Sequence, residues 1–225
     1  MIRKAAIDIG TNTTRLLIAD LAHDGTFTEI FCRRITTRLG EGLCNHNHLN
    51  DTAVQRTFNA LIIYSKDIKK YKCSNVRAVA TSAVREADNG EEFVRNAKRE
   101  TGMHIEVINQ EEEARLTTLG VLSGLREKPE TAIIFDIGGG STEFICIDTH
   151  ANPTKIIGLS MGIVHLSEKH IKLDPANQKE LNTLRVEVKK ELAKVKKEIG
   201  CIRDFTLIGT AGTSTQFAAL DLNLF

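Results

Sequence analysis

Two stretches of this chain carry the residue types that phosphate chemistry needs: Asp8-Ile-Gly-Thr-Asn-Thr-Thr-Arg15 and Asp136-Ile-Gly-Gly-Gly-Ser-Thr-Glu143. They align without a gap, 128 residues apart, and the alignment runs on to set Asp20 on Asp148. Each puts an acid ahead of glycine and then small hydroxyl side chains. Glycine reaches φ > 0 and bares backbone N–H groups, and hydroxyls can donate to phosphate oxygens. The candidate phosphate-binding residues are therefore Thr11, Asn12 and Thr13 in the first copy, and Gly138, Gly139, Gly140, Ser141 and Thr142 in the second. Asp8, Asp136 and Glu143 are candidate ligands for Mg²⁺ or Mn²⁺, a hard cation satisfied by one or two carboxylates plus phosphate oxygens and water. Asp136 is the foremost of these. Glu143 stands where the first copy has Arg15, so a salt bridge is the competing reading there.

Those residues must be positioned by strands. Apolar runs enter each turn (Ala5 to Ile7, Ala132 to Phe135) and leave it (Leu16 to Ile18, Phe144 to Ile147), which predicts strand, tight turn, strand, twice. Two opposed phosphate hairpins with acids at their first strands point to a bilobal phosphotransfer enzyme. Strands are expected near 3–9, 14–21 and 27–38, then a polar loop, Leu39-Gly-Glu-Gly-Leu43 and Cys44 to His48. A helix capped at Asn50-Asp51 runs to about Tyr71, and Val76 to Ala80 forms a fourth strand. Asn89-Gly90 is a turn, followed by a helix over Glu91 to Thr101 closed by Gly102. A fifth strand over Ile105 to Ile108 and a helix over Glu111 to Leu125 lead to the second copy. That copy repeats strands near 131–137, 142–148 and 154–160. Apolar residues at 181, 184, 188, 192, 195 and 199 have the spacing of one buried helical stripe. Phe205 to Ile208 is a strand, and Gly209 to Thr213 a turn into a last helix. With Lys128-Pro129 as punctuation, two α/β domains with mixed sheets are expected, 1–127 and 128–225.

Composition narrows the partners. Thirty basic and twenty-nine acidic side chains leave a formal charge of +1, so no global field points to nucleic acid or membrane. No apolar run approaches the roughly 20 residues that span a bilayer. Five cysteines without C-x-x-C spacing (Cys32, Cys44, Cys73, Cys146, Cys201) suit reduced thiols in the cytoplasm. Met1 runs straight into the first strand, leaving no room for a signal sequence. His46 and His48, without a third ligand, read as surface residues rather than a metal site. The lysines between 189 and 197 alternate with glutamates and read as a solvated helix face.

The chain resembles the exopolyphosphatase and guanosine pentaphosphate phosphohydrolase (Ppx/GppA) family of the actin-like ATPase superfamily. The stretches that carry the resemblance are Ala6 to Leu17, Leu39 to Leu43, Ala80 to Gly90, Glu112-Glu-Ala-Arg-Leu116, Phe135 to Phe144 and Gly209 to Thr213, in the family's order. The resemblance implies a duplicated actin-like (ribonuclease H-like) α/β fold, with the site in the interdomain cleft. It also implies Glu113 as the catalytic base, Arg85 as a phosphate-contacting residue, and polyphosphate or guanosine pentaphosphate as substrate. Three acids at a helix start, Glu111 to Glu113, also favour the helix dipole without any catalysis, and Glu112 is the rival base. Arg38 and Glu41 flank the Gly-Glu-Gly loop and are candidates to face the cleft. Two departures stand out. Asn109-Gln110 replaces the family's usual Ser-Gly, and family members continue by several tens of residues past Gly209 to Thr213. A second domain lacking closing elements is thus expected, with the apolar residues from Phe217 to Phe225 covered by a partner chain, as in a homodimer, by a domain of the full-length protein or by a swapped element. The expected reaction is metal-assisted, in-line hydrolysis of a terminal phosphoryl group. An actin-like kinase and a catalytically weak polyphosphate or alarmone binder are the alternatives.

Overall fold

The computed structural model describes residues 1–150, 152–200 and 204–224. Cys201 and Phe225 lie outside them. The chain forms two compact units, Met1–Ile108 and Asn109–Phe225.

In the first unit, β1 (Ile2–Ile9), β2 (Thr13–Leu21) and β3 (Phe27–Thr36) form an antiparallel meander. The strands β4 (Asn75–Ala80) and β5 (Ile105–Val107) join in parallel, giving the order β3-β2-β1-β4-β5. On β1 the residues Ala5, Ile7 and Ile9 are buried and their neighbours exposed, the period-two pattern of a half-buried strand. The remaining elements are α1 (Leu43–His46), α2 (Asp51–Lys70), α3 (Ser82–Glu86) and α4 (Gly90–Thr101). Asn50 caps α2 by accepting the Ala53 N–H at 2.8 Å, and Gly102 ends α4 at φ 72°, where only glycine is unstrained. The core joins Ile7, Ile9, Leu16 and Ile18 to Phe58, Leu61 and Tyr64 of α2 and to Phe93 and Ala97 of α4. Phe58 and Phe93 stack at 5.3 Å.

The second unit begins with α5 (Gln110–Gly124) and contains β6 (Ala132–Ile137), β7 (Thr142–Ile147), β8 (Pro153–Leu159) and β9 (Thr206–Thr210) in the order β8-β7-β6-β9. Its other helices are α6 (Ile163–His170), α7 (Gln178–Ile199) and α8 (Ala211–Asp221). The expected boundary at 127/128 is displaced: α5 packs on β8 and β7, and its Ala114 and Leu122 join the core of Ala132, Ile134, Ile145 and Ile147. Lys128-Pro129 is a loop inside the second unit. Along the stripe expected on α7, Val195 is buried, Leu181, Leu184, Val188 and Ile199 are half-buried, and Leu192 is 40% exposed.

The duplication extends to single bonds. The Gly10 N–H donates to the Thr13 carbonyl at 3.1 Å, and the Gly138 N–H to that of Ser141 at 3.0 Å. A bulge between Ile18 and Ala19 recurs at the equivalent Cys146 and Ile147. Among the described residues, no helix is long and apolar enough to cross a membrane.

Candidate active site

In the first unit the β1–β2 turn is braced by the loop after β3. The Thr11 carbonyl accepts the Gly40 N–H at 2.9 Å, and the Asn12 carbonyl accepts those of Thr37 and Arg38 at 3.1 and 3.0 Å. Across a trans peptide, C=O and the following N–H point oppositely. The N–H groups of Asn12 and Thr13 therefore point away from the brace, as a bound anion requires. Gly40 is needed for the close approach, because a Cβ there would lie 2.3 Å from Thr11 Cγ2. Thr11 is buried and shares a hydrogen bond with the Ser82 hydroxyl at 2.9 Å, which ties the turn to α3. Asp8 is exposed and sits in register opposite Arg15, so that pair is balanced in charge. Arg85, half-buried on α3, donates from Nη1 to the Ile108 carbonyl at 3.0 Å. Glu41 is held by Arg56 at 2.5 Å.

The second turn is braced in the same way by the start of α6. The N–H groups of Gly162, Ile163 and Val164 donate to the carbonyls of Gly140, Gly138 and Gly139 at 2.9, 3.0 and 2.8 Å. The N–H groups of Gly139, Gly140 and Ser141 are thereby turned away from α6. Thr142 departs from expectation. Its hydroxyl donates to the Met161 carbonyl at 2.6 Å, so its proton locks the turn to the end of the β8 segment instead of meeting phosphate. Asp136 and Glu143 stand directly opposite each other on β6 and β7, and Glu143 is only 4% exposed. Like charges in direct register are destabilising, and a divalent cation relieves that cost. This pair therefore fits a hard cation. Among the described residues no group of three or more His, Cys, Asp or Glu side chains could hold a metal ion.

Glu113 lies in the first turn of α5, half-buried. Asn109 caps this helix by accepting the Glu112 N–H at 2.9 Å, and Gln110 packs against β8, where a Cβ on Gly158 would lie 1.6 Å from its Nε2. The unusual Asn109-Gln110 pair thus caps and seats the helix. Arg115 binds both carboxylate oxygens of Glu112, at 2.7 and 2.9 Å, and that bond raises the Arg115 pKa. Glu112, the rival base, is thus held by a bidentate cation. His48 is a surface residue: its Nδ1 meets Asp88 at 2.6 Å and its Nε2 meets Asn89 at 3.0 Å. Gly209 and Thr210 finish β9 rather than forming a turn, and Thr213 donates to the Ile137 carbonyl at 3.4 Å.

Sequence reasoning passed over Ser82 and the Gly162 to Val164 brace. The repeat held the signal, since a glycine follows the third strand in both copies, Gly40 after β3 and Gly162 after β8.

Comparison with known proteins places these motifs. The profile of the Ppx/GppA phosphatase family matches residues 17–222. The chain is 31% identical to exopolyphosphatase 2 of Mycobacterium tuberculosis, over 97% of this chain and 70% of that protein. It is 36% identical to a bifunctional 3-dehydroquinate synthase/phosphatase of Fusobacterium nucleatum, over 94% of this chain but only a third (33%) of that protein's length. Among solved structures, the Aquifex aeolicus Ppx/GppA family member superposes with a TM-score of 0.77 at 37% identity, covering 100% of this chain and 71% of its own. An exopolyphosphatase from Cytophaga hutchinsonii gives 0.89 at 26% identity, covering 98% and 70%. The duplicated fold with mixed sheets expected from the sequence is the one observed.

Proposed function

Because the chain belongs to the Ppx/GppA phosphatase family, we propose that it hydrolyses the terminal phosphoanhydride of inorganic polyphosphate or guanosine pentaphosphate. The observation that carries this reading is the twice-built turn. In both copies an acid precedes a glycine hairpin whose carbonyls are bonded backwards, so that its N–H groups are presented for phosphate.

Hydrolysis of this bond needs anchored phosphates, compensation of developing charge, and a water in line with the scissile bond. The turn amides of Asn12 and Thr13, and of Gly139 to Ser141, anchor phosphate oxygens. Ser141 adds a hydroxyl, and the planar Arg85 guanidinium contacts phosphate oxygens. Glu113 takes a proton from water as the water oxygen attacks the terminal phosphorus. The bridging P–O bond breaks, and its electron pair leaves with the shortened chain. Asp136 and Glu143, and Asp8 in the first unit, would hold Mg²⁺ or Mn²⁺, which would neutralise charge on the phosphate oxygens.

The test is orthophosphate release from polyphosphate, guanosine pentaphosphate and ATP, with Mg²⁺ present. Release from either of the first two, and little from ATP, is expected. Turnover of ATP alone with an acceptor would make the protein a kinase. Saturable polyphosphate binding without release would make it a binder.

A further inference from the structure

Positive φ at a residue other than glycine marks a backbone held against its preference. Asn47, Lys72 and Asn223 adopt it where a helix ends, a place that commonly calls for it. Arg38, at φ 51°, ends no helix. Its conformation comes from the first phosphate turn. The N–H groups of Thr37 and Arg38 converge on one oxygen, the Asn12 carbonyl, at 3.1 and 3.0 Å. Successive N–H groups converge in this way when the chain passes through the left-handed region, and glycine does so at least cost.

The brace itself asks for no side chain at this position. In the second unit the N–H that meets the equivalent carbonyl, that of Gly140, belongs to Gly162. Nor does an acid hold the guanidinium. Arg3, Arg33, Arg56, Arg77, Arg95 and Arg99 of the first unit each meet a carboxylate. Arg38 is exposed and, among the described residues, its side chain has no partner. The acid nearest to it in the chain, Glu41, is taken by Arg56 at 2.5 Å. The same Arg56 donates from Nε to the Thr37 carbonyl at 2.8 Å and from Nη2 to the Arg38 carbonyl at 3.4 Å. One guanidinium thus fixes the backbone on which Arg38 stands and leaves Arg38 without the neighbouring acid.

We propose that Arg38 is a substrate-contacting residue, whose guanidinium binds phosphate oxygens of the chain anchored at the first turn. The inference rests on the phosphoanhydride substrate proposed above. The anion lies on the far side of the turn from the brace, since the Thr13 N–H points opposite to the Asn12 carbonyl. From the Arg38 Cα, past that carbonyl, to an oxygen bonded by the Thr13 N–H is no more than about 9 Å. An extended arginine with its own hydrogen bond covers this span, and a short polar side chain does not. The planar fork takes two phosphate oxygens at once, and polyphosphate offers them on every unit. Strain of this kind persists where the surrounding structure enforces it, and Arg56 is the positioning residue that does so here.

Binding and turnover are measured separately in wild type, Arg38→Gly, Arg38→Asn, Arg38→Lys and Arg34→Ala. Isothermal titration with tripolyphosphate in excess chelator gives Kd without hydrolysis. Orthophosphate release from polyphosphate with Mg²⁺ gives kcat and KM. Arg38→Gly and Arg38→Asn should raise Kd and KM roughly 10- to 100-fold, the range of a charge-assisted contact, with kcat within about threefold. Glycine and asparagine both tolerate the left-handed backbone, so neither variant should melt below the wild type. Arg38→Lys keeps the charge but not the fork and should recover only part of the affinity. Arg34→Ala removes the same charge from the exposed edge strand β3 and should bind within about twofold of wild type. Arg38→Gly and Arg38→Asn that bind tripolyphosphate like the wild type overturn the proposal. So does a loss that Arg34→Ala matches, which is a general effect of charge, or one that comes with a lower melting temperature, which is a structural role. A wild type that binds tripolyphosphate but releases no phosphate refutes the hydrolysis reading, and the Kd comparison still decides on Arg38. A wild type that binds no tripolyphosphate overturns the contact itself.

Discussion

Replacing Gly162 by alanine isolates the brace under the second phosphate turn. Gly162 has φ −94° and ψ 165°, a conformation alanine adopts freely, so any effect is steric. The new Cβ would lie 2.2 Å from the Gly139 oxygen and 2.4 Å from the Gly140 carbonyl carbon, against an ordinary contact of 3.4 Å or more. Both are backbone atoms, so the turn itself must move by about 1 Å. Overpacking of this kind costs about 1–3 kcal/mol, and weakening one of the three bonds at 2.8 to 3.0 Å adds about 1. A total of about 3 kcal/mol lowers the melting temperature of a protein this size by roughly 6–12 °C. A misplacement of about 1 Å in an anchoring turn also costs on the order of 10² in rate. Gly120→Ala is the matched control: Gly120 lies inside α5 and a Cβ there would meet nothing within 4 Å. It should raise stability by about 0.5–1 kcal/mol through better helix propensity. Thermal melts and orthophosphate release decide the matter. If Gly162→Ala melts with the wild type and turns over within twofold of it, the brace does not position the turn.

Tyr64 makes a second prediction. Burial pushes its phenol up to about 12, and its hydroxyl donates to the Thr14 carbonyl at 2.6 Å. The folded pKa lies above the unfolded value near 10, so this stability is complete below pH ~10 and is lost as pH rises towards 12. The loss amounts to about 2–3 kcal/mol. Urea melts from pH 8 to 11.5 should show that limb in the wild type and not in Tyr64→Phe; parallel curves would count against it. Third, Asp136→Asn should raise the Mg²⁺ or Mn²⁺ concentration for half-maximal rate at least roughly tenfold while moving the melting temperature little. Unchanged metal dependence, or full wild-type turnover in excess chelator, would remove Asp136 from the metal site.

Local chemistry was legible in the residues themselves. Asn50 and Gly102 mark helix ends because a cap needs a side-chain acceptor or a left-handed residue, and both types announce themselves. The repeated acid and glycines located both turns, since a tight turn is specified within a few residues. What escaped was set by distant partners. The Thr142 hydroxyl looked available until Met161, nineteen residues on, was seen to take its proton. The helix α5 precedes Lys128-Pro129 in the chain, yet its apolar face fits β7 and β8, a choice made by shape rather than by sequence order.

Glu113 as the base that activates water is the claim on which the account turns. Single-turnover release of orthophosphate from polyphosphate should be compared in wild type, Glu113→Gln and Glu112→Gln at saturating substrate and metal. Loss of a general base costs about 10²–10⁴-fold, so Glu113→Gln should fall by that factor while still binding substrate. Glu112, about 100° around the helix and bound by Arg115, should cost less than roughly tenfold. The reverse order, with Glu112→Gln the slow variant and Glu113→Gln close to wild type, would contradict the assignment.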